Sequence, residues 1–123
     1  MSKKVLVVDD EERIRELGEL ALGRHPALEP LVAADGPSAI QLCRDVHPDL
    51  VFLDVMMPGM DGYDVCRALK QDPATADIKV VVLTAFAQHS TMQQALAAGA
   101  DDYMTKPFRP AQLVEKAVEL LGV

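Results

Sequence analysis

Five short apolar runs, each followed by a stretch with helical period, constrain this chain more than any other feature. Val5–Val8, Leu31–Ala34, Leu50–Leu53, Val80–Leu83 and Tyr103–Thr105 read as strands. The first, third and fourth are apolar at successive positions, the pattern of parallel strands covered on both faces. Between the runs the period turns helical. Ile14, Leu17 and Ala21 share a face, as do Ala39, Cys43 and Val46, then Val65 and Leu69, then Met92, Ala95 and Leu96. The last helix is marked by Leu113, Val114, Ala117, Val118 and Leu121, an apolar stripe suited to a core. The expected architecture is α/β: a single doubly wound (βα)5 domain, a five-stranded parallel sheet with helices on both faces and right-handed crossovers. Five units are too few for an eight-unit barrel. Neither a linker nor a repeat interrupts them, so residues 1–123 are expected to form one domain of ordinary size.

Local signals mark the element ends. Pro30 cannot donate to a ladder, which places the second strand at an edge or starts it just after Pro30. Gly36-Pro37 fits a helix N-cap followed by Pro at the first helical position, and Pro110 fits another first-turn Pro. Ser90 with Gln93 resembles a capping box. Gly23 and Gly99 lie where helices should stop. Gln71–Asp77 reads as a loop.

Composition narrows the function classes. The net charge is −7, so direct binding to nucleic acid, which needs clustered Lys and Arg, is not expected, nor is attraction to an anionic membrane. Cys43 and Cys66 stand apart without CxxC spacing and are expected to be reduced, buried thiols. No apolar run approaches the ~20 residues of a membrane span, and the start Met1-Ser2-Lys3-Lys4 leads into too few apolar residues for a signal peptide. A cytoplasmic location is expected. Neither GxGxxG after the first strand nor GxxxxGK[ST] is present, which argues against a dinucleotide site or a P-loop.

The chemistry gathers at the C-terminal ends of the strands, where open α/β sheets bind ligands. Asp9 and Asp10 end the first strand, Asp54 ends the third, Thr84 ends the fourth, and Lys106 follows the fifth. One acid would suffice to cap a helix. Two adjacent acids repel, by about 4 kcal/mol for a pair ~4 Å apart at an effective dielectric of 20. A cation taking oxygen ligands, such as Mg²⁺, would relieve this. If the first and third strands are neighbours, ~4.8 Å apart, Asp54 can share that cation. The Pro58-Gly59 turn folds the chain back and could aim the Met56 carbonyl inward. Pro107 makes a cis peptide after Lys106 plausible, and a tight bend there would turn the amine across the pocket.

Asp9-Asp10, Asp54 followed by Met56-Met57-Pro58-Gly59-Met60-Asp61-Gly62, Thr84-Ala85 and Lys106-Pro107-Phe108 together resemble the signature of bacterial response-regulator receiver domains. The likeness runs from Lys4 to about Leu121. It implies the flavodoxin-like strand order 2-1-3-4-5. It implies that Asp54 is a phosphoacceptor, forming an aspartyl phosphate in a two-component phosphorelay. Asp10, Asp54 and the Met56 carbonyl would hold Mg²⁺ (or Mn²⁺), with Asp9 acting through water. Lys106 would pair with phosphoryl oxygens, Thr84 would be the switch hydroxyl and Tyr103 the aromatic switch. The implied partners are a sensor histidine kinase or histidine phosphotransfer protein and a downstream effector or output domain. The changing surface would be the fourth helix, fifth strand and fifth helix, which could also carry a homodimer. The domain would be no enzyme, assisting only its own phosphorylation and dephosphorylation. Met56 and Phe86, two residues past Asp54 and Thr84, would flank the attacking water; both are apolar, so slow autodephosphorylation is expected.

Two other readings compete. A phosphorylation-independent docking module could share the fold, but such modules usually lack one of the five polar residues, and all five are present here. A haloacid-dehalogenase-like phosphohydrolase would carry its nucleophile in a DxD arrangement on the first strand, whereas here the run is Asp9-Asp10-Glu11.

Overall fold

The computed structural model describes residues 2–85 and 89–123. Strands and helices alternate: β1 (Lys3–Val8), α1 (Glu12–Gly23), β2 (Leu28–Ala33), α2 (Gly36–Val46), β3 (Leu50–Asp54), α3 (Gly62–Gln71), β4 (Lys79–Thr84), α4 (His89–Ala97), β5 (Asp102–Thr105) and α5 (Pro110–Leu121). The strands form one parallel sheet in the order β2-β1-β3-β4-β5. This is the flavodoxin-like (βα)5 fold expected from the sequence. No described helix is long and apolar enough to cross a membrane.

The continuous apolar runs are explained by two cores, one on each face. Side chains alternate along a strand, so Val5, Val7, Leu50, Phe52, Val81 and Leu83 meet Leu22 of α1 and Leu113 and Ala117 of α5. Leu6, Val8, Val51, Leu53, Val80 and Val82 meet α2, α3 and α4 through Ala39, Cys43, Val65, Cys66, Leu69 and Ala95. Phe52, with no exposed surface, contributes on the order of 2–3 kcal/mol by burial alone. Cys43 and Cys66 are free and buried, and burial pushes each thiol up to about 11. The Cys66 thiol donates to the Ala98 carbonyl at 3.3 Å.

Three boundaries and one helix face differ from the sequence reading. β2 is an edge strand, but it starts at Leu28 and contains Pro30, which lies beside Val5; an edge strand pairs on one side only and tolerates a missing donor. The cap of α2 is Asp35, not Gly36. Its side chain accepts from the Ser38 amide at 2.8 Å, and Pro37 stands second in the helix. The Asp carboxylate satisfies a free amide that Gly could not. α4 is helical from His89, so Ser90 sits inside its first turn rather than at the cap. Leu96 is 68% exposed, and the buried side chains here are Ala95 in α4 and Ala98 just past its end. Small residues let that helix sit close to the sheet.

Candidate functional site

Strand register assembles the site. Val5 pairs with Leu50 and Val8 with Leu53. One residue further on, Asp9 and Asp54 follow on adjacent strand ends, about one strand spacing (~4.8 Å) apart. Both continue the parity of the face covered by α1 and α5. Asp9 is fully buried and Asp54 is 3% exposed, while Asp10 is exposed. Asp9, Asp10 and Asp54 each offer an oxygen within 4.8 Å of the others'.

Lys106 reaches this cluster from beyond β5. Its peptide with Pro107 is cis, and its amide donates to the Thr84 carbonyl at 2.7 Å. The ammonium Nζ donates to Asp9 Oδ2 at 2.8 Å and to Asp54 Oδ1 at 3.1 Å. Burial, then the charge of Asp9, push the Asp54 carboxyl above its ordinary value, against the opposing pull of Lys106. Burial disfavours the Lys106 charge, but the hydrogen bonds to Asp9 and Asp54 outweigh it and hold the amine above its ordinary value. The three carboxylates and one ammonium leave two negative charges. That set matches a divalent cation both in charge and in its all-oxygen donors.

The loop after β3 is fixed by backbone contacts. Met56 N–H reaches Asp54 Oδ1 at 3.4 Å, and Val55 O accepts from Met57 and Gly62. Gly59 has φ +79°, a left-handed conformation that favours glycine. Gly62 sits hard against the Asp54 carbonyl, and a Cβ there would also lie 2.9 Å from Val55 Cα. Only glycine allows α3 to begin this close to Asp54. The Met56 side chain is 69% exposed, and Phe86 lies outside the described residues.

Thr84 and Tyr103 occupy the other face. Thr84 is buried and has the parity of Val80 and Val82. Tyr103 pairs with Val82, and Thr84 with Thr105. The Thr84 and Tyr103 side chains therefore project from adjacent strands on one face, two residues out of step, and Tyr103 is half-buried against that core. Of the sequence candidates, Asp9, Asp10, Asp54 and Lys106 converge, while Thr84 and Tyr103 form a second pair beside them.

Sequence reasoning passed over Arg15. Its guanidinium donates from Nη1 to the Asp9 carbonyl at 2.8 Å. The only signal was its place one turn into the helix that follows the acid pair.

The comparisons with known proteins agree with this geometry. The family model described as response regulator receiver domain matches residues 5–118. The DNA-binding response regulator MtrA of Mycobacterium tuberculosis is 40% identical over 116 residues, which cover 94% of this chain and 49% of MtrA. The response regulator PleD of Caulobacter vibrioides is 43% identical over 120 residues, covering 98% of this chain and 26% of PleD. The chain thus spans about half the length of the one relative and a quarter of the other. The crystal structure of the chemotaxis response regulator CheY4 of Vibrio cholerae superposes with a TM-score of 0.91 at 28% identity, covering 98% of this chain and 99% of that one. Receiver domains are signalling domains of two-component systems that interact with histidine kinases and output domains. With the fold, the residues of the signature and the family model all in agreement, this chain belongs to the response regulator receiver domain family.

Proposed function

We propose that this domain accepts a phosphoryl group on Asp54 from a phosphohistidine of a sensor kinase or phosphotransfer protein, and passes the event on through its α4–β5–α5 surface. The observation that carries the reading is the Lys106 ammonium bridging Asp9 and Asp54 at 2.8 and 3.1 Å inside a cluster of three carboxylates. An Asp54 oxygen attacks phosphorus. The O–P bond forms as the donor's P–N bond breaks, and the imidazole leaves with the electron pair. Phosphoryl transfer asks for positioning and charge stabilisation more than for covalent chemistry. The Lys106 ammonium lies within reach of both partners and can exchange the Asp54 oxygen for a phosphoryl oxygen. Asp10, Asp54 and the Met56 carbonyl would hold Mg²⁺ (or Mn²⁺), with Asp9 acting through water, and the ion when bound would neutralise the oxygens of the transferring group.

Thr84 is the hydroxyl that follows the phosphoryl group, and Tyr103 is the side chain that turns with it. Their common face and adjacent strands support this pairing. Phosphorylation biases a pre-existing equilibrium. Moving it from 1:99 to 99:1 takes about 5.5 kcal/mol. The domain catalyses nothing beyond its own phosphorylation and dephosphorylation. We assign it no direct contact with nucleic acid, a reading supported by its net charge of −7, and a cytoplasmic location.

The test is intact mass after incubation with acetyl phosphate and Mg²⁺. The parent should gain one phosphoryl group, EDTA should abolish the gain, and Asp54→Asn should gain none. An equal gain on Asp54→Asn would move the acceptor elsewhere. No gain together with no stabilisation by Mg²⁺ would leave a phosphorylation-independent docking module as the better account.

A further inference from the structure

The β1–α1 corner carries two of the three clustered carboxylates, yet its helix start is poorly capped: the N-cap Glu11 makes no side-chain bond to the first turn. The Arg15 side chain ties the corner instead. Its guanidinium donates to the Asp9 carbonyl at 2.8 Å, beside the ordinary helical bond from its backbone N–H to the Glu11 carbonyl at 3.2 Å. Asp9 closes the same corner, accepting the Glu11 amide on Oδ1 at 3.0 Å and donating its own amide to Ala33 at 3.2 Å. Asp10 lies between these two anchored residues. It is exposed, so no surrounding core fixes it. Where its carboxylate points is therefore set by the peptide groups on either side: the Arg15 guanidinium holds the one through the Asp9 carbonyl, and the Asp9 carboxylate holds the other through the Glu11 amide.

We infer that Arg15 is a positioning residue for the metal-binding corner, holding the Asp9–Glu11 backbone so that Asp10 converges with Asp9 and Asp54. The inference rests on reading that cluster as a divalent-cation site. Its consequence runs against simple electrostatics. A guanidinium beside a cation site repels the cation, so deleting it for its charge alone should tighten binding. Deleting a clamp should weaken binding, and groups that orient metal ligands are typically worth roughly 10-fold or more in affinity.

Mn²⁺ titration followed by electron paramagnetic resonance reads this directly, without any phosphoryl donor. The wild-type protein, Arg15→Ala, Arg15→Lys, Arg13→Ala and Asp10→Asn are compared, with circular dichroism reporting the fold. Arg13 is exposed on the same helix, and its replacement removes an equal charge while leaving the corner intact. The expected result is binding weakened about 10-fold or more in Arg15→Ala, less in Arg15→Lys, and not weakened in Arg13→Ala. Unchanged or tighter binding by folded Arg15→Ala overturns the inference. If Arg15→Ala does not fold, Arg15→Lys decides: weaker binding supports the clamp, and wild-type affinity overturns it. If the wild type itself binds no Mn²⁺, or if Asp10→Asn binds as well as wild type, the reading of the cluster fails, and the inference with it.

Discussion

Asp9 shows how completely one residue can be committed. Its amide, its carbonyl and both carboxylate oxygens are all bonded, to Ala33, Arg15, Glu11 and Lys106. A fully buried carboxylate is tolerable only with such pairing. Tyr63 is the opposite case. It is 9% exposed, and its hydroxyl has no hydrogen-bond partner among the described residues. A buried hydroxyl without a partner costs about 1–3 kcal/mol in lost hydration. Tyr63→Phe, which keeps the ring in the core, should therefore raise the urea-unfolding stability by about 1 kcal/mol. A clear loss of stability would mean that the hydroxyl finds a partner in solution. The acid pair, Asp54 and Lys106 were legible as chemistry because each follows an apolar run. Tyr63 and Arg15 were not, because their meaning lies in what surrounds them.

Elements are joined by contacts that no single segment announces. α2 ends at His47, a non-glycine residue with φ +52°, whose Nε2 lies 2.9 Å from Asp77 Oδ1 in the loop between α3 and β4. The hydrogen bond to Asp77 raises His47 above its ordinary 6.5, and the same bond lowers Asp77 below its ordinary 3.8. A raised histidine contributes stability that is complete below its unfolded value and is lost as pH rises through its folded value. A lowered carboxyl contributes above its unfolded value and loses that contribution as pH falls through its folded value. The pair should therefore stabilise most between about pH 4 and 6.5. The melting-temperature gap between the wild type and Asp77→Asn should be widest in that window and should shrink above pH 7. A gap that does not vary with pH would remove the ion pair from the account. Periodicity located the helices themselves, but misplaced the α2 cap by one residue and the exposed face of α4. A cap is decided by which carboxylate meets which free amide, and a buried face by which neighbour lies opposite.

At the scale of the molecule, the sheet gathers negative charge at its C-terminal edge in a chain that is already at −7. Lys106 offsets part of it. A divalent cation should offset the rest and so stabilise the fold. At ten times its dissociation constant, Mg²⁺ should add about 1.4 kcal/mol, seen as a rise in melting temperature that Asp10→Asn largely abolishes and EDTA reverses. An equal rise in Asp10→Asn would place the ion elsewhere. The sequence by itself determined the alternation of strands and helices, the covering of the sheet on both faces, and the polar residues at the strand ends. These follow from local periodicity, which each segment carries without its neighbours. Tertiary structure alone decided that Asp9 would lie beside Asp54, that Lys106 would bridge them, that Thr84 and Tyr103 would share the opposite face, and that Arg15 would hold the corner. Those depend on strand order and register. Both are set by the packing of the whole sheet between its two helical layers.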